Sequence, residues 1–403
     1  MLKAEGYVFE PCSCSASARR LLRQPRPLGS SLAACFGLIY IQDKASLLPP
    51  LLLQPPRGGV VLDMCASPGS KAGFLAQLVG DLGLVVANEP QSKRLVTLRK
   101  GMEQINAAQV VTNRYSGEGF PEIDGGFSSI LLDVPCSAWG TLDKNPKAAK
   151  IWRPERLGPL IDLQRLLLQR AASLLAPGGK ILYSTCTTNR EENEAQAIWA
   201  VEELGLEMAE LSRPPGFSWQ DPEMPGAEES LRVDGPASGC QSFFLACLRR
   251  PGQKPEALRA GEGLHSCQAG ARYDRLLSVQ DLPRHPGAAW EHLPPGGFGL
   301  KGKELFFLPR LACEVLGAGL RWEGLPLGKL THGSIRVNSR WRKLLPPAEQ
   351  GAGLHLEDME SLRALTAGQS LPAPGQGKQA GLYWRGLGLG WVAVKGRRCL
   401  WTG

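Results

Sequence analysis

The stretch from Val60 to Gly73 constrains the fold of this chain more than any other. It reads VVLDMCASPGSKAG, in which an apolar run ends at Asp63 and gives way to small residues and a proline. This pattern predicts a buried strand, a tight loop and a helix start. Small residues let the backbone approach a ligand closely, and a helix start offers unpaired N–H groups. We interpret the loop as a cofactor-binding loop; an ordinary strand-to-helix turn has the same local pattern.

The composition is that of a globular protein with room for two or three domains in its 403 residues. Lys and Arg number 46 against 38 Asp and Glu, and the net charge of +8 favours a polyanion such as nucleic acid as partner. A basic protein with an unrelated role has the same balance. Since the sequence has no apolar run of signal-peptide or membrane-span length, we expect a cytoplasmic protein without a membrane partner. Cys12 and Cys14 have no matching pair nearby, so no metal site is expected.

Strands and helices alternate through the middle of the chain. After the loop, LGLVVANEP, AQVVTN, FSSILLD and KILYSTC read as strands separated by helices, and SFFLAC as a closing strand. This alternation predicts an α/β fold with a mostly parallel sheet and right-handed connections. Glu89 ends the second of these strands, where doubly wound nucleotide-binding folds hold ribose hydroxyls. Glu89 is therefore the candidate ribose ligand.

Composition divides the chain into three parts. Residues 1–36 are basic and turn-rich, and they form either a solvated surface or an arm that faces RNA. Residues 37–250 hold the α/β pattern, and a Pro- and Gly-rich linker follows Arg249. Residues 251–403 contain short apolar and aromatic segments with Gly turns, which predict a small β-rich domain. Its aromatic side chains suit either a core or stacking on RNA bases.

Two cysteines, Cys136 and Cys186, each follow a predicted strand, in VPCS and STCT. The carboxyl ends of parallel strands border the ligand crevice, so both should lie beside the cofactor loop, together with Asp133. Either cysteine alone would most simply be a small buried apolar residue. As a pair at strand ends beside an acidic residue, they favour nucleophilic catalysis.

Together, DMCASPGSKAG, ANEPQSKRL, LLDVPCS and YSTCTTNREENE resemble the Sun/Nop-type RNA cytosine-C5 methyltransferases. GLIYIQDKASLLPP and FFLAC extend the resemblance to roughly residues 37–250. GLRWEGLPLGKL and GLGLGWVAVKG are similar to the bacterial subgroup that modifies 16S rRNA and carries a C-terminal domain like PUA modules. The resemblance implies a Rossmann-like domain that depends on S-adenosylmethionine, followed by a PUA-like domain that binds RNA.

The resemblance also implies roles for individual residues. Cys186 would be the thiolate that attacks C6 of cytosine, and Cys136 would assist product release. Asp133 would hydrogen-bond the cytosine ring, and Lys71 would tune the thiolate and the acid. The methyl donor would be bound by Cys65, Ala66, Ser67, Pro68, Gly69, Ser70, Lys71, Glu89, Ser116 and Asp133.

The sequence departs from the family in four places. Ser116-Gly117 stands where the family usually has Asp-Gly for the adenine amino group, so that Ser116 or Glu118 would take this role. Trp139 lies in a loop that is usually rich in glycine, where it would narrow the pocket or stack on a base. Little more than the first 36 residues precede the first motif, less than the family's helical N-terminal region. The C-terminus stops sooner than is usual for the subgroup.

Three other functions compete with methyl transfer to 16S rRNA. A tRNA cytosine-C5 methyltransferase would share the same motifs. A catalytically silent RNA-binding or ribosome-assembly factor would keep the fold, and Ser116 favours it. A dinucleotide-dependent oxidoreductase is disfavoured, because the loop has no G-x-G-x-x-G and the two cysteines would have no use there.

Overall fold

The computed structural model describes residues 1–141, 157–253, 273–283, 285, 287–316, 319–331 and 333–403. Its strands are β1 (Val8–Cys12), β2 (Ser15–Arg23), β3 (Val60–Asp63), β4 (Leu84–Asn88), β5 (Val110–Asn113), β6 (Phe127–Asp133), β7 (Leu175–Thr185), β8 (Glu207–Ala209), β9 (Trp219–Gln220), β10 (Leu231–Val233), β11 (Phe243–Arg249), β12 (Arg275–Leu277), β13 (Gly296–Lys301), β14 (Glu304–Pro309), β15 (Leu325–Thr331), β16 (Ser334–Val337), β17 (Gly353–Leu356), β18 (Leu371–Pro372), β19 (Gln379–Trp384), β20 (Leu387–Lys395) and β21 (Arg398–Trp401). Its α-helices are α1 (Leu32–Cys35), α2 (Leu48–Leu53), α3 (Ser70–Val79), α4 (Ser92–Ile105), α5 (Leu157–Leu174), α6 (Glu194–Leu204), α7 (Gly235–Ser238), α8 (Arg310–Val315) and α9 (Met359–Thr366).

A mixed sheet holds the middle of the chain together. Within the described residues it has nine strands, in the order β5-β4-β3-β6-β7-β11-β10-β9, with β8 paired to β11. The first five of these strands are parallel, and β11 joins β7 in the antiparallel direction. The chain therefore has the Rossmann-like α/β fold that the alternation of strands and helices predicts.

Three of the parallel strands, β3, β4 and β5, are buried along their whole length, as is usual for strands of a parallel sheet. Helix α4 ends at Asn106, whose φ of 57° lies in the left-handed region that asparagine tolerates. The carboxyl ends of β3, β4, β6 and β7 meet at one edge of the sheet, where the candidate site lies.

The C-terminal part is rich in β structure, as predicted. The described residues form two five-stranded sheets, β12-β13-β14-β15-β16 and β17-β19-β20-β21-β18. The first of them lies against the central sheet, where Phe306 and Leu308 share a buried apolar cluster with Leu132 and Phe127. Edge strand β5 is also covered, because Thr112 and Glu323 form an antiparallel bridge.

The first residues form an antiparallel hairpin of β1 and β2, where the sequence predicted only a basic, turn-rich segment. Arg19, Arg20 and Arg23 lie exposed on it. After the hairpin, Phe36 packs edge-on against Trp401 of the C-terminal part, with the ring centroids 5.0 Å apart. The two ends of the chain thus share one buried apolar cluster.

The segment from Ser212 to Gly239, although rich in Pro and Gly, also contains regular structure. It contributes β9, β10 and the short helix α7 to the far side of the sheet. No helix among the described residues is both long and apolar enough to span a lipid bilayer.

Candidate active site

The predicted cofactor loop runs from Met64 to Gly69, between β3 and α3. Asn88, buried at the end of β4, donates from Nδ2 to the carbonyl oxygens of Met64 (3.2 Å) and Tyr115 (3.0 Å). Gly69 has φ 114°, a conformation that side chains disfavour, and a Cβ there would lie 2.9 Å from Cε of Met102. Helix α3 has no side-chain cap hydrogen bond at its start. Its first N–H groups therefore stay available to an anionic ligand.

The predicted ribose ligand, Glu89, lies at the carboxyl end of β4 and is 1% exposed. One carboxylate oxygen accepts a hydrogen bond of 2.8 Å from the backbone N–H of Gln91, and the other lies 3.3 Å from Nη1 of Arg94. Arg94 also donates 2.9 Å to the carbonyl oxygen of Ser67. Arg94 thus ties the cofactor loop to Glu89, a link that the sequence interpretation missed.

Ser116 lies after β5, on the same edge of the sheet. Its side chain is exposed, and Glu118 nearby along the chain is exposed as well. The preceding residue, Tyr115, is anchored from two sides: its N–H donates to Asn88, and its hydroxyl accepts from the N–H of Arg321 in the C-terminal part. The backbone before Ser116 is therefore held in place, while Ser116 itself faces solvent.

Lys71, in the first turn of α3, and Asp133, the last residue of β6, form an ion pair. Nζ of Lys71 lies 2.7 Å from Oδ2 of Asp133, and Ser184 Oγ donates 2.8 Å to Oδ1. Burial lowers the pKa of Lys71, but the carboxylates of Asp133 and Asp63 outweigh it and leave this pKa above its usual value. Lys71 is therefore a stable cation between these acids.

Asp63, at the end of β3, lies beneath this ion pair. Burial raises its pKa to about 7, and the negative charge of Asp133 adds to the increase, whereas the cation of Lys71 opposes it. Near neutral pH the buried carboxyl therefore exists in both protonation states. This acid was noticed in the sequence only as the end of a strand.

The two predicted catalytic cysteines meet at the carboxyl ends of β6 and β7. Their Sγ atoms are 3.3 Å apart, and the N–H of Gly140 donates 3.0 Å to the carbonyl oxygen of Cys186. The hydrogen bond to Cys186, followed by burial, raises the pKa of Cys136 well above its usual value. Cys136 therefore keeps its proton at neutral pH. Lys71 interacts electrostatically with Cys186.

The loop after Cys136 is not rich in glycine as is usual in the family, but one of its residues has a backbone conformation that favours glycine. Ala138 has φ 58°, a left-handed conformation that glycine adopts without steric cost. Trp139 begins a short 3-10 turn that returns the chain to Thr141. The residues that follow, up to 156, lie outside the described residues.

The structure thus brings Lys71, Asp133, Cys136 and Cys186 together at one edge of the sheet, with the cofactor loop and Glu89 beside them. Among the residues that the structure describes, no group of three or more His, Cys, Asp or Glu has the arrangement of a metal site. Ser184 could have been found in the sequence, because it lies two residues before Cys186 in a strand and so shares its face. Arg94 carries no such signal, because its contacts depend on how α4 packs.

This site lies within the segment that matches a known family. Residues 50–249 match the family model described as 16S rRNA methyltransferase RsmB/F. Over this segment the chain is similar to that family. The predicted resemblance to the RNA cytosine-C5 methyltransferases is confirmed at the level of family.

Curated relatives carry a name that agrees with the family. Ribosomal RNA small subunit methyltransferase F of Salmonella paratyphi B is 36% identical over 267 residues, which cover 60% of this chain and 54% of the relative. The protein of the same name from Salmonella newport matches to the same extent. This chain therefore spans about half the length of the curated relatives that it matches.

Solved structures of the same fold come from Pyrococcus horikoshii. A methyltransferase homolog protein aligns with a TM-score of 0.54 and 28% identity, covering 62% of this chain and 80% of that one. NSun6, whose structure is described as being with SFG, aligns with a TM-score of 0.51 and 27% identity, covering 57% of each chain. Both likenesses support the assignment of this segment to the methyltransferase fold.

Proposed function

We propose that this chain transfers a methyl group from S-adenosylmethionine to C5 of a cytosine in RNA, with 16S rRNA as the substrate. The observation that carries the proposal is the pair Cys136 and Cys186, whose Sγ atoms lie 3.3 Å apart beside the ion pair of Lys71 and Asp133. A thiolate, a thiol that keeps its proton and an acid held by a cation are the groups that methylation at C5 through a covalent adduct requires.

The two thiols have different roles in this proposal. Cys186 adds to C6 of the cytosine, so that an S–C6 bond forms and C5 becomes nucleophilic. Asp133, oriented by Lys71 and Ser184, hydrogen-bonds the ring edge, and the cation of Lys71 beside it offsets the negative charge that the attack places on the ring. After methylation the C5 proton leaves to water, its electron pair restores the C5–C6 double bond, and the S–C6 pair returns to Cys186. Cys136 donates its proton to the departing sulfur.

The residues around the loop suit S-adenosylmethionine. The uncapped start of α3 and the loop Cys65–Ser70 would receive the carboxylate end, Glu89 the ribose hydroxyls, and Ser116 or Glu118 the adenine edge. When bound, this cofactor supplies the methyl group as an electrophile attached to a sulfonium. SFG, with which the Pyrococcus NSun6 structure is described, is an S-adenosylmethionine analogue, and this supports the assignment.

Residues 251–403 are proposed to serve as a PUA-like RNA-binding part, and residues 1–36 as a basic arm beside the methyltransferase domain of residues 37–250. The exposed arginines of the hairpin and the net charge of +8 support RNA as the partner. A substrate in the ribosome implies that the protein acts in the cytoplasm.

The experiment that tests this function measures transfer of labelled methyl from S-adenosylmethionine to unmodified small ribosomal subunits, naked 16S rRNA and transfer RNA. The product nucleoside is identified in each case. We expect 5-methylcytosine in the 16S rRNA, free or within the subunit. Label in transfer RNA alone would overturn the choice of substrate, and label in none would overturn the activity.

The exposed, uncharged Ser116 is the observation that favours a second candidate, a silent RNA-binding or ribosome-assembly factor. Such a factor would bind the subunit without methylating it. Binding of RNA by the parent protein with no transfer of label would favour this candidate.

A further inference from the structure

The residues on either side of Cys136 are both held by buried side chains. Gln164 of α5 donates from Nε2 to the carbonyl oxygen of Pro135 (2.9 Å) and to Oε1 of Glu192 (3.0 Å). Glu192 Oε1 accepts 2.9 Å from the N–H of Ser137, and Oε2 accepts from the Ser137 hydroxyl. The backbone on both sides of this thiol is therefore fixed from one buried carboxylate and its amide neighbour.

The residues on either side of Cys186 are held in the same way by Asn193, the residue that follows Glu192. Asn193 Oδ1 accepts 2.5 Å from the hydroxyl of Thr185, and its Nδ2 donates 3.1 Å to the carbonyl oxygen of Thr187. The hydroxyls of Thr187 and Ser137 lie 2.8 Å apart. The supports of the two thiols are thus joined to each other.

Glu192 and Asn193 are both 0% exposed, and neither has a part in the chemistry described above. Tyr183, near the end of β7, donates 2.6 Å to the carbonyl oxygen of Glu192 and fixes its backbone. Burying a carboxylate is costly unless hydrogen bonds satisfy it. Ser137, in the loop of Cys136, donates to both oxygens of Glu192, and Gln164 donates to one of them. This carboxylate is therefore fully satisfied only when that loop is in place.

We infer that Glu192 and Asn193 are a positioning pair, in which Glu192 holds Cys136 and Asn193 holds Cys186 at the separation that adduct release needs. The inference rests on the proposed function for its catalytic consequence. The geometric part is that Glu192 controls how closely the two thiols approach. This part does not depend on the proposed function. Each part has its own measurement.

The catalytic measurement follows the covalent RNA adduct in denaturing gels with 16S rRNA and S-adenosylmethionine. Glu192→Ala should slow adduct release about 10- to 100-fold, because small displacements of reacting groups cost this much. The KM for S-adenosylmethionine should not change, since the hydrogen bonds of Glu192 support the loop of Cys136 rather than the cofactor loop. Glu192→Gln keeps an acceptor for the N–H of Ser137 and should stay within about threefold of the parent.

The matched control is Glu194→Gln, which alters another fully buried glutamate two positions away. Glu194 pairs with Arg232, and its side-chain hydrogen bonds among the described residues go to Arg232 and Glu223. Its loss should lower thermal stability without raising the adduct. Ser137→Ala removes one oxygen from the support of Cys136 and should raise the adduct in a variant that stays folded.

The geometric measurement needs no methyl transfer. Diamide oxidises two adjacent thiols to a disulfide and is itself reduced to the hydrazine, and peptide masses report the yield. The disulfide of Cys136 and Cys186 should form several-fold more slowly in Glu192→Ala and Ser137→Ala than in the parent. Cys12 and Cys14, whose Sγ atoms are 3.0 Å apart in the hairpin, give an internal reference.

The outcomes separate the two proposals. If the thiols of Glu192→Ala oxidised more slowly than those of the parent, but the parent transferred no methyl group, the proposed function would be overturned and the positioning role would be kept. Transfer by the parent, with adduct release and thiol oxidation in Glu192→Ala equal to the parent, would overturn the positioning role and keep the function. An equal rise of adduct in Glu194→Gln would also overturn it, because the effect would then be one of stability alone.

Discussion

The candidate site has a donor side, formed by the cofactor loop and Glu89, and a thiol side, formed by the loops of Cys136 and Cys186. Different kinds of contact hold the two sides. On the donor side, Arg94 links the loop at Ser67 to Glu89 with a side chain that is 48% exposed. On the thiol side, Glu192 and Asn193 are 0% exposed. Exposed ion pairs contribute about 1 kcal/mol or less, whereas a buried polar group left unpaired costs about 1–3 kcal/mol. Arg94 on the donor side should therefore tolerate substitution better than Glu192 and Asn193 on the thiol side.

The largest expected effect comes from the two thiols themselves. Cys186→Ala should abolish both methyl transfer and the covalent RNA adduct, since no nucleophile remains. Cys136→Ala should also stop turnover but accumulate the adduct, since release is blocked. A denaturing gel with labelled RNA distinguishes the two. An adduct in Cys186→Ala but not in Cys136→Ala would show that the roles are reversed.

Lys71 joins the two sides, and its removal should have the next largest effect. Lys71→Met leaves Asp133 without its cation and should lower the single-turnover rate about 100-fold, the magnitude typical of a lost electrostatic contact at a reacting group. Lys93→Met, on the exposed face of α4, is the control and should keep the parent rate. Equal rates in both variants would mean that Lys71 has no electrostatic role.

The buried Asp63 should make stability depend on pH. Its pKa in the folded chain is raised from 3.8 to about 7, so the folded state holds a proton that the unfolded state releases at lower pH. This contribution is complete below about pH 4 and is lost as pH rises through 7. The Tm of Asp63→Asn minus that of the parent should therefore be larger at pH 8 than at pH 5, as measured by calorimetry.

The control for this experiment is Asp124→Asn, which changes an exposed carboxyl. Its difference in Tm from the parent should be the same at both pH values. If Asp63→Asn behaved in the same way, the proton of Asp63 would not be linked to folding.

The smallest expected effect lies on the donor side. Arg94→Gln removes the ion pair to Glu89 and should weaken binding of S-adenosylmethionine only a few-fold, with Tm changed by no more than the loss of an exposed pair explains. Calorimetric titration measures the affinity. A loss of Tm as large as that in Glu192→Ala would contradict the contrast between the two sides.

Much of the central fold could be predicted from the sequence, since its signals are local. The strand, loop and helix around Asp63 could be predicted from the apolar run before it and the small residues after it. Such local elements depend on neighbouring residues alone. Cys136 and Cys186 could be placed together because the carboxyl ends of parallel strands meet at one edge. Residues 1–36 were less predictable: the hairpin of β1 and β2 was expected only as a turn-rich segment.

Only the tertiary structure decided how the thiols are supported. Ser137 and Glu192 are 55 positions apart and hydrogen-bonded, and no periodicity in the sequence links them. Glu192 would pass for a surface residue in NREENE, because charge alone does not reveal burial. The same holds for Glu323, whose bridge to Thr112 covers the sheet edge from the C-terminal part. The sequence by itself indicated that Cys136, Cys186 and Asp133 lie together beside the cofactor loop. Packing between distant segments decided their separation and protonation, because both depend on neighbours that folding alone brings together.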